Sequence, residues 1–179
     1  MQNGSFALVS MTWKLRHEGL LDQVELLFLD NQDQPVPLAL GDVDAICCFE
    51  PYAAFAELSG FGHRLWVPYD TPMGRTNLGF VASTAFVAKE PDLTRTLVRA
   101  HVAATNRMKA DPAIAVDTTV KQFNMARDVA EASTRNLFFN ADSGEAFQTG
   151  LKSLADMMLA DKLLDQEPDW ATFLDTRFL

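Results

Sequence analysis

The stretch Gly41-Asp-Val-Asp-Ala-Ile-Cys-Cys-Phe-Glu-Pro-Tyr52 decides how the rest of the chain reads. Residues 43–49 are a short apolar run of strand length, rich in β-formers and small side chains. Gly41 stops whatever precedes it, and Pro51 suits the first turn of a helix that continues through Tyr52 to Ser59. A buried strand that ends on a polar residue and opens straight into a helix is how α/β proteins build sites. The strand's carboxyl end and the helix's free N–H groups then face one crevice. This pattern puts Phe49, Glu50 and Tyr52 at the mouth of a ligand cleft; the alternative is an ordinary strand-to-helix junction with a buried tyrosine.

Towards the N-terminus, Gly4-Ser5 opens a helix that runs to about Glu18, with Ser5 as its N-cap and Gly19 as its stop. Phe6, Val9 and Trp13 give that helix an apolar stripe. Lys14, Arg16 and His17 fall in its last turn, where positive charge complements the helix dipole. Residues 23–29 (Gln-Val-Glu-Leu-Leu-Phe-Leu) read as a strand, and residues 35–40 as a short helix closed by Gly41. Beyond Ser59-Gly60, residues 64–67 and 78–82 are further strand candidates. The turn-rich polar segment 68–77 between them is too long and too aromatic for a tight connection. Alternating helices and strands up to this point predict a mostly parallel sheet covered by helices.

After Ser83 the pattern is almost wholly helical. Residues 91–110 form a long helix with Leu93, Leu97, Ala100, Ala104 and Met108 on one face. Asp111-Pro112 starts another, and helices follow over 127–137, from Ser143 onward, and over 170–174. Four such helices form a bundle of their own or cover a sheet supplied elsewhere.

Composition narrows the function. A net charge of -9, with 15 scattered basic residues, argues against a nucleic-acid partner. No apolar run reaches the roughly 18 residues of a membrane span, and no signal core follows the N-terminus. Cys47 and Cys48 are adjacent on a strand-like run, so their side chains point apart and an ordinary bridge is poor; core packing fits them better than reactivity. The three histidines are too scattered for a metal site, and no cofactor motif is present.

Several pieces in order resemble the periplasmic solute-binding proteins of ABC importers, in the group that takes up nitrate, sulfonates, taurine and thiamine-precursor pyrimidines. They are Gly4-Ser5 heading a helix that ends His17-Glu18-Gly19-Leu20, Pro37-Leu-Ala-Leu-Gly-Asp-Val-Asp-Ala45, and Phe49-Glu-Pro-Tyr52. Ala100-His-Val-Ala-Ala104, Asp111-Pro112 and the tail with Asp169, Trp170 and Asp175 complete the set. The resemblance implies a type II periplasmic-binding fold with two α/β lobes closing on a ligand. Residues 1–80 would be the second α/β lobe, and residues 81–179 the helical part returning to a first lobe whose opening strands are lacking here. It implies a location in the periplasm or at the cell surface, a membrane permease as partner, no catalysis and no cofactor. The solute would be small, polar and nitrogen- or sulfur-containing. Gly4 and Ser5 would offer N–H groups and a hydroxyl to an anionic headgroup. Phe49, Glu50, Tyr52 and Tyr69 would line the opposite wall, Asn77 adding a polar contact. Glu50 would favour a ligand bearing a donor or cation. Apolar faces left open by the lacking lobe would favour a homodimer. The alternatives are a thiamine-pyrimidine synthase-like enzyme of the same fold, or a truncated chain that binds nothing.

Overall fold

The computed structural model describes residues 5–76 and 78–178. Helix α1 (Phe6–His17) begins as its sequence demands: the Leu8 N–H donates to the Ser5 hydroxyl oxygen at 3.3 Å, and the three basic side chains occupy the last turn. Helix α2 (Pro35–Leu40) is closed by Gly41, whose φ of 77° is the left-handed conformation that terminates helices. Helix α3 (Tyr52–Leu58) follows Pro51, which a cis peptide joins to Glu50. Then come α4 (Thr84–Lys89), α5 (Pro91–Ala110), α6 (Ala113–Phe123), α7 (Arg127–Arg135), α8 (Glu145–Ala160) and the single turn α9 (Trp170–Phe173). Ser83 caps α4 through the Phe86 N–H at 3.2 Å, and Asp169 caps α9 through the Ala171 N–H at 3.1 Å.

The expected α/β architecture with a mostly parallel sheet is wrong. Among the described residues there is no β-strand, in either the first eighty residues or the rest. The segments 24–29, 43–49, 64–67 and 78–82 run as irregular chain between helices and turns. Val24 (φ −123°, ψ 144°) and Val67 (φ −126°, ψ 140°) do adopt extended backbone. β-propensity is a local quantity, whereas a strand exists only when its N–H and C=O groups meet those of another segment. Among the described residues these segments have the first without building a ladder. Leu78 is 82% exposed and Val81 91% exposed, so no layer covers them.

The long helix α5 also turns differently from expectation. Leu93 and Leu97 lie on its solvent side, while Thr94 and Thr105 are buried with Val98 and Val102 half-buried between them. Both threonine and leucine faces have helical spacing; the neighbours α4 and α6 take the former.

Packing joins distant parts of the chain. Helix α1 lies against α8, α3 against α2 and α7, and α6 against α7. Thr12 donates its hydroxyl to Asp161 at 3.0 Å, and Arg16 pairs with the same carboxylate, tying α1 to the end of α8. Phe6, Val9 and Met73 form a buried core against which Phe49, Leu154, Met157, Met158 and Leu163 pack. Val9 and Met73 are fully enclosed, each contributing about 1.5–3 kcal/mol from burial. Met73 sits in the polar loop after the turn Pro68–Asp70, so that loop is anchored from inside, with Thr71 and Thr76 buried on either side.

Candidate functional site

Glu50 is the centre of the best-connected polar cluster. Its carboxylate is only 8% exposed. Oε2 accepts the Ala54 N–H at 3.0 Å in the first turn of α3, a favourable place for negative charge. Oε1 accepts from Arg64 Nη2 at 2.9 Å and from Asn136 Nδ2 at 2.7 Å. Arg64 also grips Glu57 at 2.9 Å, and the two carboxylates, Glu57 foremost, hold its guanidinium above its ordinary pKa. Arg64 in turn holds the Glu57 carboxyl below its ordinary value through their hydrogen bond.

Asn136 belongs to the segment that leaves α7, and two residues later Phe138 completes a second contact group. The Phe138 ring meets Tyr69 edge-on at 5.9 Å and 78°, and the Arg75 guanidinium carbon lies over it at 3.3 Å from the centroid. Burial pushes the Tyr69 phenol up, the Arg75 charge pulls it back, and Glu50 and Arg64 are near enough to be felt there too. The segment 136–138 therefore straps together a carboxylate hub and an aromatic–cationic group.

The sequence-predicted residues divide as follows. Glu50 and Tyr69 come together in this cluster. Ser5 lies at the start of α1, the helix against which the turn Pro68–Asp70 packs, and its hydroxyl is engaged in capping. Phe49 turns into the core, its N–H donating to Asn31 Oδ1 at 3.2 Å. Tyr52 meets Phe123 of α6 edge-on at 6.5 Å and packs between helices. Gly4 and Asn77 lie outside the described residues. Arg64, Arg75, Asn136 and Phe138 were missed. The unusual length of loop 68–77 was the one signal pointing to Arg75; nothing local ties Asn136 to a glutamate 86 residues earlier.

The profile of the NMT1-like family matches residues 2–120, about two thirds of the chain. The chain belongs to the NMT1-like family. In this NMT1-like chain the matched span contains every predicted site residue together with Arg64 and Arg75, whereas Asn136 and Phe138 lie beyond it. No curated protein and no solved structure matches the chain significantly.

Other features of the NMT1-like chain lie apart from the cluster or stay chemically quiet. Burial pushes the Cys47 thiol up to about 11 and the Cys48 thiol up to about 12. Cys47 donates weakly to the Ala7 carbonyl at 3.5 Å. Among the described residues no three His, Cys, Asp or Glu side chains gather as a metal site, and no helix is long and apolar enough to cross a membrane. Two grooves, of about 290 Å³ beside Phe80 and Phe86 and about 470 Å³ between α1 and the end of α8, contain no predicted site residue. The first is mostly apolar; on the wall of the second, Thr12, Arg16 and Asp161 are already bonded to one another.

Proposed function

We propose that the chain is the solute-recognising component of an ABC importer, or part of one, and that it acts by binding rather than by catalysis. The observation that carries this is membership of the NMT1-like family over the span that holds Ser5, Glu50, Tyr69 and Arg75. The solute is a small polar nitrogen- or sulfur-containing molecule, in the range of sulfonate, taurine, nitrate or aminopyrimidine. It binds beside Tyr69, in the part of the cluster whose polar groups are not consumed by internal bonds. Its partner is a membrane permease, and its working place is the periplasm or cell surface.

The exposed apolar side chains of segment 78–82 and of Leu93 and Leu97 support a second copy as a further partner, since contiguous exposed apolar surface marks association sites. The enzyme alternative would draw on Cys47 and Cys48, but thiols held protonated by burial are poor nucleophiles and poor metal ligands at neutral pH. Thermal-shift titration with taurine, an alkylsulfonate, nitrate and an aminopyrimidine tests the proposal. A saturable rise in melting temperature with at least one of them is expected, and a flat response to all four, confirmed by calorimetry, would sink it.

A further inference from the structure

The cluster carries one charge that the fold does not neutralise, and it is not the one the sequence singles out. Glu50 already accepts three hydrogen bonds, from Arg64, Asn136 and the Ala54 N–H, and is almost enclosed. A carboxylate offers about four acceptor positions, so little remains with which to select a ligand. Arg64 is shared between Glu50 and Glu57. Arg75 differs from both: among the described residues it has no carboxylate partner, its side chain is exposed, and its contact is with the face of Phe138.

That contact leaves its chemistry available. A guanidinium stacked by its face on an aromatic ring uses none of its N–H donors, which lie in the guanidinium plane and remain in the fork arrangement that matches a carboxylate or sulfonate. The stacking also fixes the side chain's direction, so less rotamer freedom is lost when a ligand arrives. Beside it the Tyr69 hydroxyl has no hydrogen-bond partner among the described residues, and the Tyr69 and Phe138 rings form an apolar wall.

We propose that Arg75 is the charge-selecting residue of the site, and that it selects a small organic anion. The anion's carboxylate or sulfonate oxygens accept from the Arg75 fork and the Tyr69 hydroxyl, while its carbon body lies against the Tyr69 and Phe138 rings. Glu50 holds the walls in place and does not touch the ligand. This deepens the binding function proposed above and rests on it.

Isothermal titration of the whole chain with benzoate, benzenesulfonate, inorganic sulfate and benzylamine tests the assignment. At least one of the two organic anions is expected to bind, and inorganic sulfate and benzylamine at least tenfold more weakly. Arg75→Gln is expected to weaken the organic anion about tenfold or more, as loss of charge-assisted hydrogen bonds does, with the melting temperature little changed because the side chain is exposed. Arg75→Lys keeps the charge but not the fork and should fall between. Equal binding by Arg75→Gln and the unaltered chain would overturn the proposal. Inorganic sulfate binding as tightly as the organic anions would overturn the assigned carbon body. Benzylamine binding alone, undisturbed by Arg75→Gln, would overturn the charge selection while leaving a binding protein. Silence towards all four probes and towards the solutes above would overturn both readings together.

Discussion

Replacing Gly150 with alanine sets two effects of opposite sign against each other. Gly150 is buried in the interior of α8, where alanine is intrinsically favoured by roughly 0.5–1 kcal/mol through helix propensity. A Cβ at this position, however, would lie 2.3 Å from Thr76 Oγ1, 2.6 Å from the Met73 carbonyl oxygen and 2.9 Å from Thr76 Cβ. The threonine hydroxyl can rotate away, but the Met73 carbonyl is backbone, and the Met73 side chain beneath it is fully buried in the core. Relief therefore requires α8 to lift or the loop 71–76 to shift as a unit. Overpacking of this kind costs about 1–3 kcal/mol, so the clash outweighs the propensity gain and a net loss of about 1–2 kcal/mol is expected. For a chain of this size that corresponds to a melting temperature lower by roughly 3–6 °C. Urea titration and thermal melts followed by far-ultraviolet circular dichroism measure it. Gly79→Ala is the control, because a Cβ there meets nothing within 4 Å. A Gly150→Ala protein as stable as the unaltered one, or more stable, would show that α8 does not press on this loop and would refute the account of how Tyr69 and Arg75 are positioned.

Other expectations are more direct. Glu50→Ala removes the shared acceptor of Arg64, Asn136 and the Ala54 N–H; because Arg64 keeps Glu57 and is partly solvated, the loss should be about 2–3 kcal/mol in urea unfolding. A change within about 0.5 kcal/mol would mean that the hub is not a structural element. For the cysteines, burial raises both folded-state values above the ordinary thiol value, to about 11 and about 12. Below about 9 both folded and unfolded chains hold these protons. As pH rises from there the unfolded thiols ionise first, so their contribution to stability is lost on the way to 11–12. Stability should therefore fall more steeply over that range in the unaltered chain than in a Cys47→Ala/Cys48→Ala variant, and parallel curves would contradict the burial. At pH 8 the native thiols should react with iodoacetamide at least roughly 100-fold more slowly than in denaturant.

What the sequence disclosed was the part of the structure governed by local rules. The helix start at Ser5, the stop at Gly41 and the span of α5 all follow from a cap, a left-handed glycine or a proline in the first turn. The strands at 23–29, 43–49, 64–67 and 78–82 failed because their residue preferences do not create a pairing partner. The orientation of α5 failed for a related reason: Thr94 and Leu93 are both at helical spacing, and only the position of α4 and α6 decides which is buried. At the site, Glu50 stands out from the segment around it, but its partners do not. The sequence presents a carboxylate at a helix start; only the fold reveals that Arg64 and Asn136 already occupy it.

The strap at residues 136–138 also bears on when the site comes into existence. Joining Asn136 to Glu50 closes 86 residues of chain, an ordering cost of about 4 kcal/mol on the simplest polymer estimate. One hydrogen bond cannot offset that, so the closure depends on the packing of α3 against α7 and of α6 against α7. The arrangement of Glu50, Tyr69, Arg75 and Phe138 is thus a late product of folding, with the cooperativity of the assembly around it. A nascent chain that has emerged only as far as Thr76 carries Glu50, Tyr69 and Arg75 but has no arrangement of them. A solute of the kind proposed above would act on the same equilibrium, linking its occupancy to folding stability.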